Sequence, residues 1–303
     1  MSPQRVPNIR LSLVIPCKDV NDRKLKELLA SIEAQDFPKD ELETLIITEG
    51  TSESAKAIGI RKAKGEVIGI LASDNKLIGN DFLQVALDNS EYNGSTYPMY
   101  YCTDNLDILG RYFALIGGND PLAYYIGKND HLRVDQKAVD YSGRIHEKAT
   151  YGDNGFFVQK EMIQKTDLEN YYHIDNACEL EYQPVPFQGS ISHNTGGNIF
   201  KFFAKRYRYG LQHAFNKNRR WNLVDFRKPK DVWRLVWFIL CTLTILEPLC
   251  LSIRGYLRIR DIAWFIHPIA CLGTVFTYGL LMCHLFCQWM YQLLFAPMVA
   301  QKA

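Results

Sequence analysis

Apolar and polar positions alternate in two different rhythms along this chain, and the change between them divides it. LSLVIP at residues 11–16 is a short apolar run that stops at Pro16, as a buried strand does. Leu25, Leu28, Leu29 and Ile32 then recur at helical spacing, and Asn21 or Asp22 stands where an N-cap belongs. ETLIIT predicts a second strand, SESAKAIGIRKAKG a short helix closed by Gly65, and EVIGILA a third strand. The order β-α-β-α-β predicts parallel strands joined by right-handed crossovers, with loops at the strand ends free to surround a ligand.

From Val232 the rhythm gives way to nearly continuous apolar sequence. WRLVWFILCTLTILEPLCLSI supplies about one bilayer's thickness of helix, interrupted late by Glu247 and Pro248. A longer stretch follows, with no Asp, Glu, Lys or Arg from Ile262 to Phe295. Both predict membrane association. The connection RGYLRIRD carries three arginines against one acid, and basic loops favour the cytosolic side. Either the two segments form a hairpin that overrides this preference, or the first is re-entrant or interfacial and returns to its starting side.

Charge sharpens this division. The net charge of +2 over 303 residues hides eleven basic and two acidic residues between Lys201 and Arg234, about +9 there and −7 elsewhere. A basic block before an apolar region fits anionic lipid headgroups. No recognition helix, zinc spacing or RNA-binding aromatic pattern accompanies it, so nucleic acid is not expected as a partner. Within the block, NIFKFFAKRYRYGL interleaves rings and cations as an interfacial helix does.

MSPQRVPNIR lacks the apolar core of a signal peptide, which predicts a cytosolic N-terminal domain. The eight cysteines show no CxxC spacing, so neither a disulfide framework nor a zinc site is indicated. The expected organisation is therefore a cytosolic domain over 1–197, a basic aromatic segment over 198–231 and a membrane region over 232–303.

Candidate chemistry gathers where the third strand ends, in Ala72, Ser73, Asp74 and Asn75. Ligands of open α/β sheets bind outside the carboxyl ends of strands, and oxygen donors there suit a hard divalent cation bridging to phosphates. A polar turn after a buried strand is the plainer alternative.

The ordered set LSLVIPCKD, LLASIEAQDFP and ETLIITEGTSESAKAIGIRKAKGEVIGILASDN resembles the N-terminal half of family 2 glycosyltransferases of the GT-A fold. YGDNGFFVQKEMI, YYHIDNACEL and His193 continue the resemblance to about Gly210. The apolar tail is similar to that of members acting on lipid-linked or exported glycans. The resemblance implies an α/β GT-A domain with a mostly parallel sheet, followed by transmembrane or re-entrant helices. It implies a nucleotide-sugar donor, a glycan or polyprenyl-linked acceptor, membrane lipids as partners, and manganese or magnesium as cofactor.

Carried over by position, the family's metal motif falls on Ala72, Ser73 and Asp74, so its first Asp is replaced and its second kept. Asp74 is then the main metal contact, with Asn75 as a neutral oxygen ligand. Asp175 matches the family's catalytic base, with helix capping as its alternative. Pro16, Cys17 and Glu49 match the nucleoside region. Asn154, in the glycine-bearing loop from Gly152 to Gly155, is placed near the acceptor, with a place in the turn as its alternative. His193 matches a histidine that approaches the metal or diphosphate, and Arg206 or Arg208 is placed to hold a diphosphate or polyprenyl phosphate. The expected reaction is an inverting, metal-dependent sugar transfer to a hydroxyl. A polyprenyl-phosphate glycosyl synthase and an inactive scaffold of the same fold are the alternatives. ALIGGNDPLAYYIGKNDHL has no role that its residues reveal, though Asp120 or Asp130 would add carboxylates.

Overall fold

The computed structural model describes residues 8–129, 131, 154–166, 184–194, 197–214 and 223–300. The predicted alternation is present. Strand β1 (Leu11–Pro16) leads to helix α1 (Arg23–Glu33), and β2 (Leu42–Ile47) to α2 (Ser52–Lys62) and β3 (Val67–Leu71). Asp22 caps α1, its side chain accepting from Lys24 N at 3.0 Å. Gly65 does not close α2, which ends on Ala63. It lies instead where an added Cβ would meet the backbone of Ser12.

After β3 come β4 (Asn75–Ile78), α3 (Phe82–Asn93) and β5 (Ser95–Tyr101), then α4 (Ile108–Ile116) and α5 (Pro121–Ile126). β6 (Asn154–Gln159), α6 (Lys160–Gln164) and β7 (Val185–His193) complete the sheet region. Among the described residues the sheet has seven strands in the order β2-β1-β3-β6-β5-β7-β4. It is mixed rather than mostly parallel. β1 runs parallel to β2 and β3, and β5 to β7, but β6 opposes both its neighbours and β4 opposes β7. The β4–β7 pairing was not foreseen, because the four residues after Asp74 are too few to show a period of their own.

The pleat sorts β1 into two faces. Leu11, Leu13 and Ile15 pack with Leu25 and Leu28 of α1 and with Phe82 and Leu83 of α3. Val14 packs on the other face with Ile60 of α2 and Ile163 of α6. The loops leaving β1 and β2 therefore turn toward opposite faces, and in open α/β sheets ligands sit at the carboxyl ends of strands where connections diverge in this way. Gly69 of β3 leaves room for the ring of Phe157, which a Cβ would strike.

The remaining helices are α7 (Ile199–Ala214), α8 (Pro229–Thr244), α9 (Leu246–Arg258) and α10 (His267–Ala300), with a 3-10 turn at Ile262–Ile266. The first apolar stretch is not one straight helix. α8 and α9 meet at an angle of 87°, at Ile245 with φ +62°. By length and composition, the region Ile262–Gln292 is the one helix among the described residues able to cross a membrane, with the bent α8–α9 pair as a second if it counts as a single span.

The segment of unassigned role, together with the turn of α4 before it, seats these C-terminal helices. Tyr112, Phe113 and Ile116 of α4 bury against Ala263, Trp264 and Ala270, and Leu122 and Ile126 of α5 against Phe238 and Cys271. Polar pairs thread this apolar contact. Tyr112 OH lies 2.8 Å from His267 Nδ1, Tyr125 donates to Glu247, and Tyr278 of α10 donates to Asp120. Lys128 Nζ meets Asp231 Oδ2 at 2.7 Å with both side chains less than a tenth exposed.

Candidate functional site

Strand pairing brings the candidate residues together. Asn75 and His193 are register partners in the β4–β7 ladder, and Asn194 N donates to Asp74 O at 3.0 Å. Two residues far apart in sequence therefore share one strand end. His193 Nε2 lies 3.3 Å from Asp74 Oδ1, and both side chains are largely buried.

The charge around this pair is positive. Lys24 Nζ donates to Asn194 O at 2.8 Å, anchoring α1 beside the site. Burial by itself raises the Asp74 carboxyl, but His193, then Lys205 and Lys24, favour the charged form. The balance lowers it from 3.8 to about 2. Asp74 is thus an ionised carboxylate at neutral pH, close to an imidazole and in the field of two lysines.

The imidazole is held from its other side. Asn119, in the turn between α4 and α5, places Nδ2 3.2 Å from His193 Nδ1. Arg206 of α7 donates to Asn119 O at 2.6 Å. With Nδ2 donating, the neutral ring carries its proton on Nε2, directed at Asp74. Turning the amide over would move the proton to Nδ1 and leave the Nε2 lone pair open. Sequence reasoning missed Asn119. Its one signal was the Gly-Gly-Asn-Asp-Pro turn, which says nothing about a partner 74 residues away.

Asn75 does not point where the sequence suggested. It is 2% exposed, and its Oδ1 accepts from Ala72 N at 2.9 Å while its Nδ2 donates to Asn154 Oδ1 at 2.9 Å. Its placement is that of a brace beneath the turn, not of a ligand above it, because both ends of the amide are used inside the fold. Asn154 likewise faces inward, 6% exposed, and donates to Tyr101 OH at 2.9 Å. Both ends of its amide are thus engaged inside the fold, with Asn75 and with Tyr101. The Tyr101 ring lies near both His193 and His131, 5.8 and 3.9 Å from their ring centroids.

The other expected residues are more scattered. Pro16 ends β1, and Cys17 is buried with its thiol donating to Asp19 O at 3.0 Å. Glu49 is exposed after β2, 3.8 Å from Lys62 Nζ. Arg208 is exposed on α7. Asp120 adds no carboxylate to the site, since it caps α5 and accepts from Tyr278. Asp175 and Asp130 lie outside the described residues. Among those described, no cluster of three or more His, Cys, Asp or Glu side chains is placed to hold a metal.

No family model matches the sequence, and no curated protein does. Among solved structures, the chain is similar to the mannosyltransferase PcManGT from Pyrobaculum calidifontis in complex with GDP-Man and Mn2+. The two are 12% identical over 89% of this chain and 87% of that one, with a TM-score of 0.46. It is also similar to S. aureus TarS 1-349, at 11% identity over 89% of this chain and 92% of that one and a TM-score of 0.39. Likenesses of this size identify neither a family nor a ligand.

Proposed function

We propose that this protein is a membrane-associated glycosyltransferase of the family 2, GT-A type that draws sugar from a nucleotide-diphosphate donor. The observation that carries the reading is the ionised Asp74 at the end of β3, 3.3 Å from His193 and in the field of Lys24 and Lys205. A nucleoside diphosphate would lie across the carboxyl ends of β1 and β2, near Pro16, Cys17 and Glu49.

The donor set at Asp74 and His193 fits a divalent cation only if phosphate oxygens complete its shell. Magnesium commonly binds in this way, through one or two carboxylates and substrate phosphates. Asp74 and, in its Nδ1-protonated form, His193 would hold manganese or magnesium, which when bound would offset charge on the leaving diphosphate. Lys24 and Lys205 add positive potential from the protein itself.

In the transfer, an acceptor hydroxyl oxygen bonds to the anomeric carbon as the bond from that carbon to the diphosphate oxygen breaks. The hydroxyl proton passes to Asp175, and the nucleoside diphosphate leaves with the bonding pair. One displacement inverts the anomeric centre. The acceptor would be a lipid-linked or cell-surface glycan, with the catalytic domain on the cytosolic side of the membrane.

The test is transfer or hydrolysis of radiolabelled nucleotide sugars by the full chain in membranes, with manganese or magnesium added. Metal-dependent turnover that is lost in Asp74→Ala supports the reading. Absence of turnover with every donor supports an inactive scaffold, and activity that survives Asp175→Ala supports a polyprenyl-phosphate acceptor, which needs no base.

A further inference from the structure

The C-terminal helices look like membrane spans in sequence, yet their contacts tie them to one side. α8 starts at the catalytic domain, where Asp231 pairs with Lys128 at 2.7 Å and Arg234 donates to Ile126 O. At the bend, Glu247 of α9 accepts from Tyr125 of α5. Just beyond α9, Asp261 pairs with Arg111 of α4 at 3.0 Å. The elbow therefore begins, turns and ends on the same α4–α5 wall. A spanning segment would carry its far end about 30 Å away from its start.

α10 is tied down as well. Gly273 lies where a Cβ would strike the Phe203 ring, Gly210 where one would strike Leu281, and Tyr207 OH hydrogen-bonds His284. Helix α7 thus runs beside α10 from about residue 273 to 284. It also exposes Lys201, Lys205 and Arg208. If that part of α10 crossed a bilayer, these cations would enter hydrocarbon, where each is strongly disfavoured.

The faces turned away from the domain remain apolar. Trp233 and Trp237 of α8, Leu249 and Ile253 of α9, and Phe276 and Trp289 of α10 are all exposed. Arg254, Arg258 and Arg260 are exposed along the same region. An apolar surface with tryptophans and a cationic border matches the edge of an anionic leaflet, where rings sit at headgroup depth and arginines meet phosphate.

We propose that α8, α9 and α10 do not cross the bilayer but form a monotopic platform that sinks its outward face into one leaflet of an anionic membrane. This deepens the membrane association proposed above. α7 joins the platform to the site, through Arg206 on Asn119 and Lys205 near Asp74. The Asp74–His193 pair is then served by substrates anchored in that same leaflet.

The test uses the full chain expressed in a bacterial host, with Cys250, Cys283 and Cys287 replaced by serine. One variant carries Arg260→Cys and another a cysteine appended after Ala303. A membrane-impermeant maleimide should label both in inside-out vesicles and neither in intact cells. Labelling of either from outside intact cells, or of neither in inside-out vesicles, overturns the platform. Purified protein should float with phosphatidylcholine vesicles containing phosphatidylglycerol. Joint replacement of Arg254, Arg258 and Arg260 by glutamine should weaken that binding about 10- to 100-fold. Binding unchanged by the triple replacement overturns the anionic preference. Failure to float, or a soluble dimer that covers the face, overturns the platform itself. None of these readouts depends on donor turnover, so an inactive protein would leave the topology result intact.

Discussion

His193 Nε2 lies 3.3 Å from Asp74 Oδ1 because the β4–β7 ladder aligns the residues on either side of them. The pair is thus built by backbone pairing, and substitutions of either side chain leave the strands that position it. Asp74→Asn, nearly the same in shape, should lower donor turnover at least about 100-fold, the scale seen when one preorganised charge contact is removed. Steady-state kinetics with each nucleotide sugar, alongside a thermal melt showing an intact fold, would check this.

The same carboxylate predicts an acid response. The fold depresses the Asp74 carboxyl from 3.8 to about 2, so the stability it contributes is fully present above pH 3.8 and is lost as pH falls toward 2. Wild type should therefore lose more stability than Asp74→Asn between about pH 4 and pH 2. Denaturant titrations of both proteins at several pH values would measure the difference, and parallel curves would contradict it.

Asn119 orients His193 without any expected contact to substrate. Asn119→Leu should reduce kcat or metal affinity by about 10- to 100-fold, as loss of a hydrogen bond behind a functional histidine commonly does. The melting temperature should change little, because Asn119 is only half-buried. Asn119→Gln should recover part of the loss if the amide is what matters. Manganese titration by calorimetry separates this effect from a general loss of activity.

Lys128 and Asp231 form a buried ion pair that also satisfies Leu223 O and Asp225 N. Removing one partner strands the other charge, so Asp231→Ala should destabilise by about 3–5 kcal/mol. The double change Lys128→Met with Asp231→Leu should cost less than Asp231→Ala alone. Thermal unfolding in detergent would rank the three proteins.

Gly255 packs against the indole of Trp264, which a Cβ would strike. Gly255→Ala should therefore destabilise the α9 seat by about 1–3 kcal/mol through overpacking. Limited proteolysis around residues 255–265 should become faster, while the sheet domain keeps its resistance.

The early strands and helices were legible because their signals are local. Leu11, Leu13 and Ile15 on one face of β1 and the 3.6-residue spacing of α1 each need only their own segment to be read. The sheet's mixed order was not legible, since β6 and β7 find their neighbours across about 60 to 120 residues. Nor was the role of α4 and α5. Their apolar residues are covered by helices about 110 to 150 residues later, and no period within ALIGGNDPLAYYIG announces such a partner.

The sequence by itself determined that a carboxylate would stand at the end of β3 and that about the last quarter of the chain would be apolar, because strand ends and hydropathy are properties of short stretches. Tertiary structure alone decided that Asn75 turns inward to Asn154 while Asp74 stays beside His193. It also decided that α10 runs along the cationic α7. The physical reason is common to both. Which polar atoms are satisfied and which charges sit beside an apolar helix depend on contacts between distant segments, and hydrogen bonding and the cost of desolvating charge then select among the roles that local sequence leaves open.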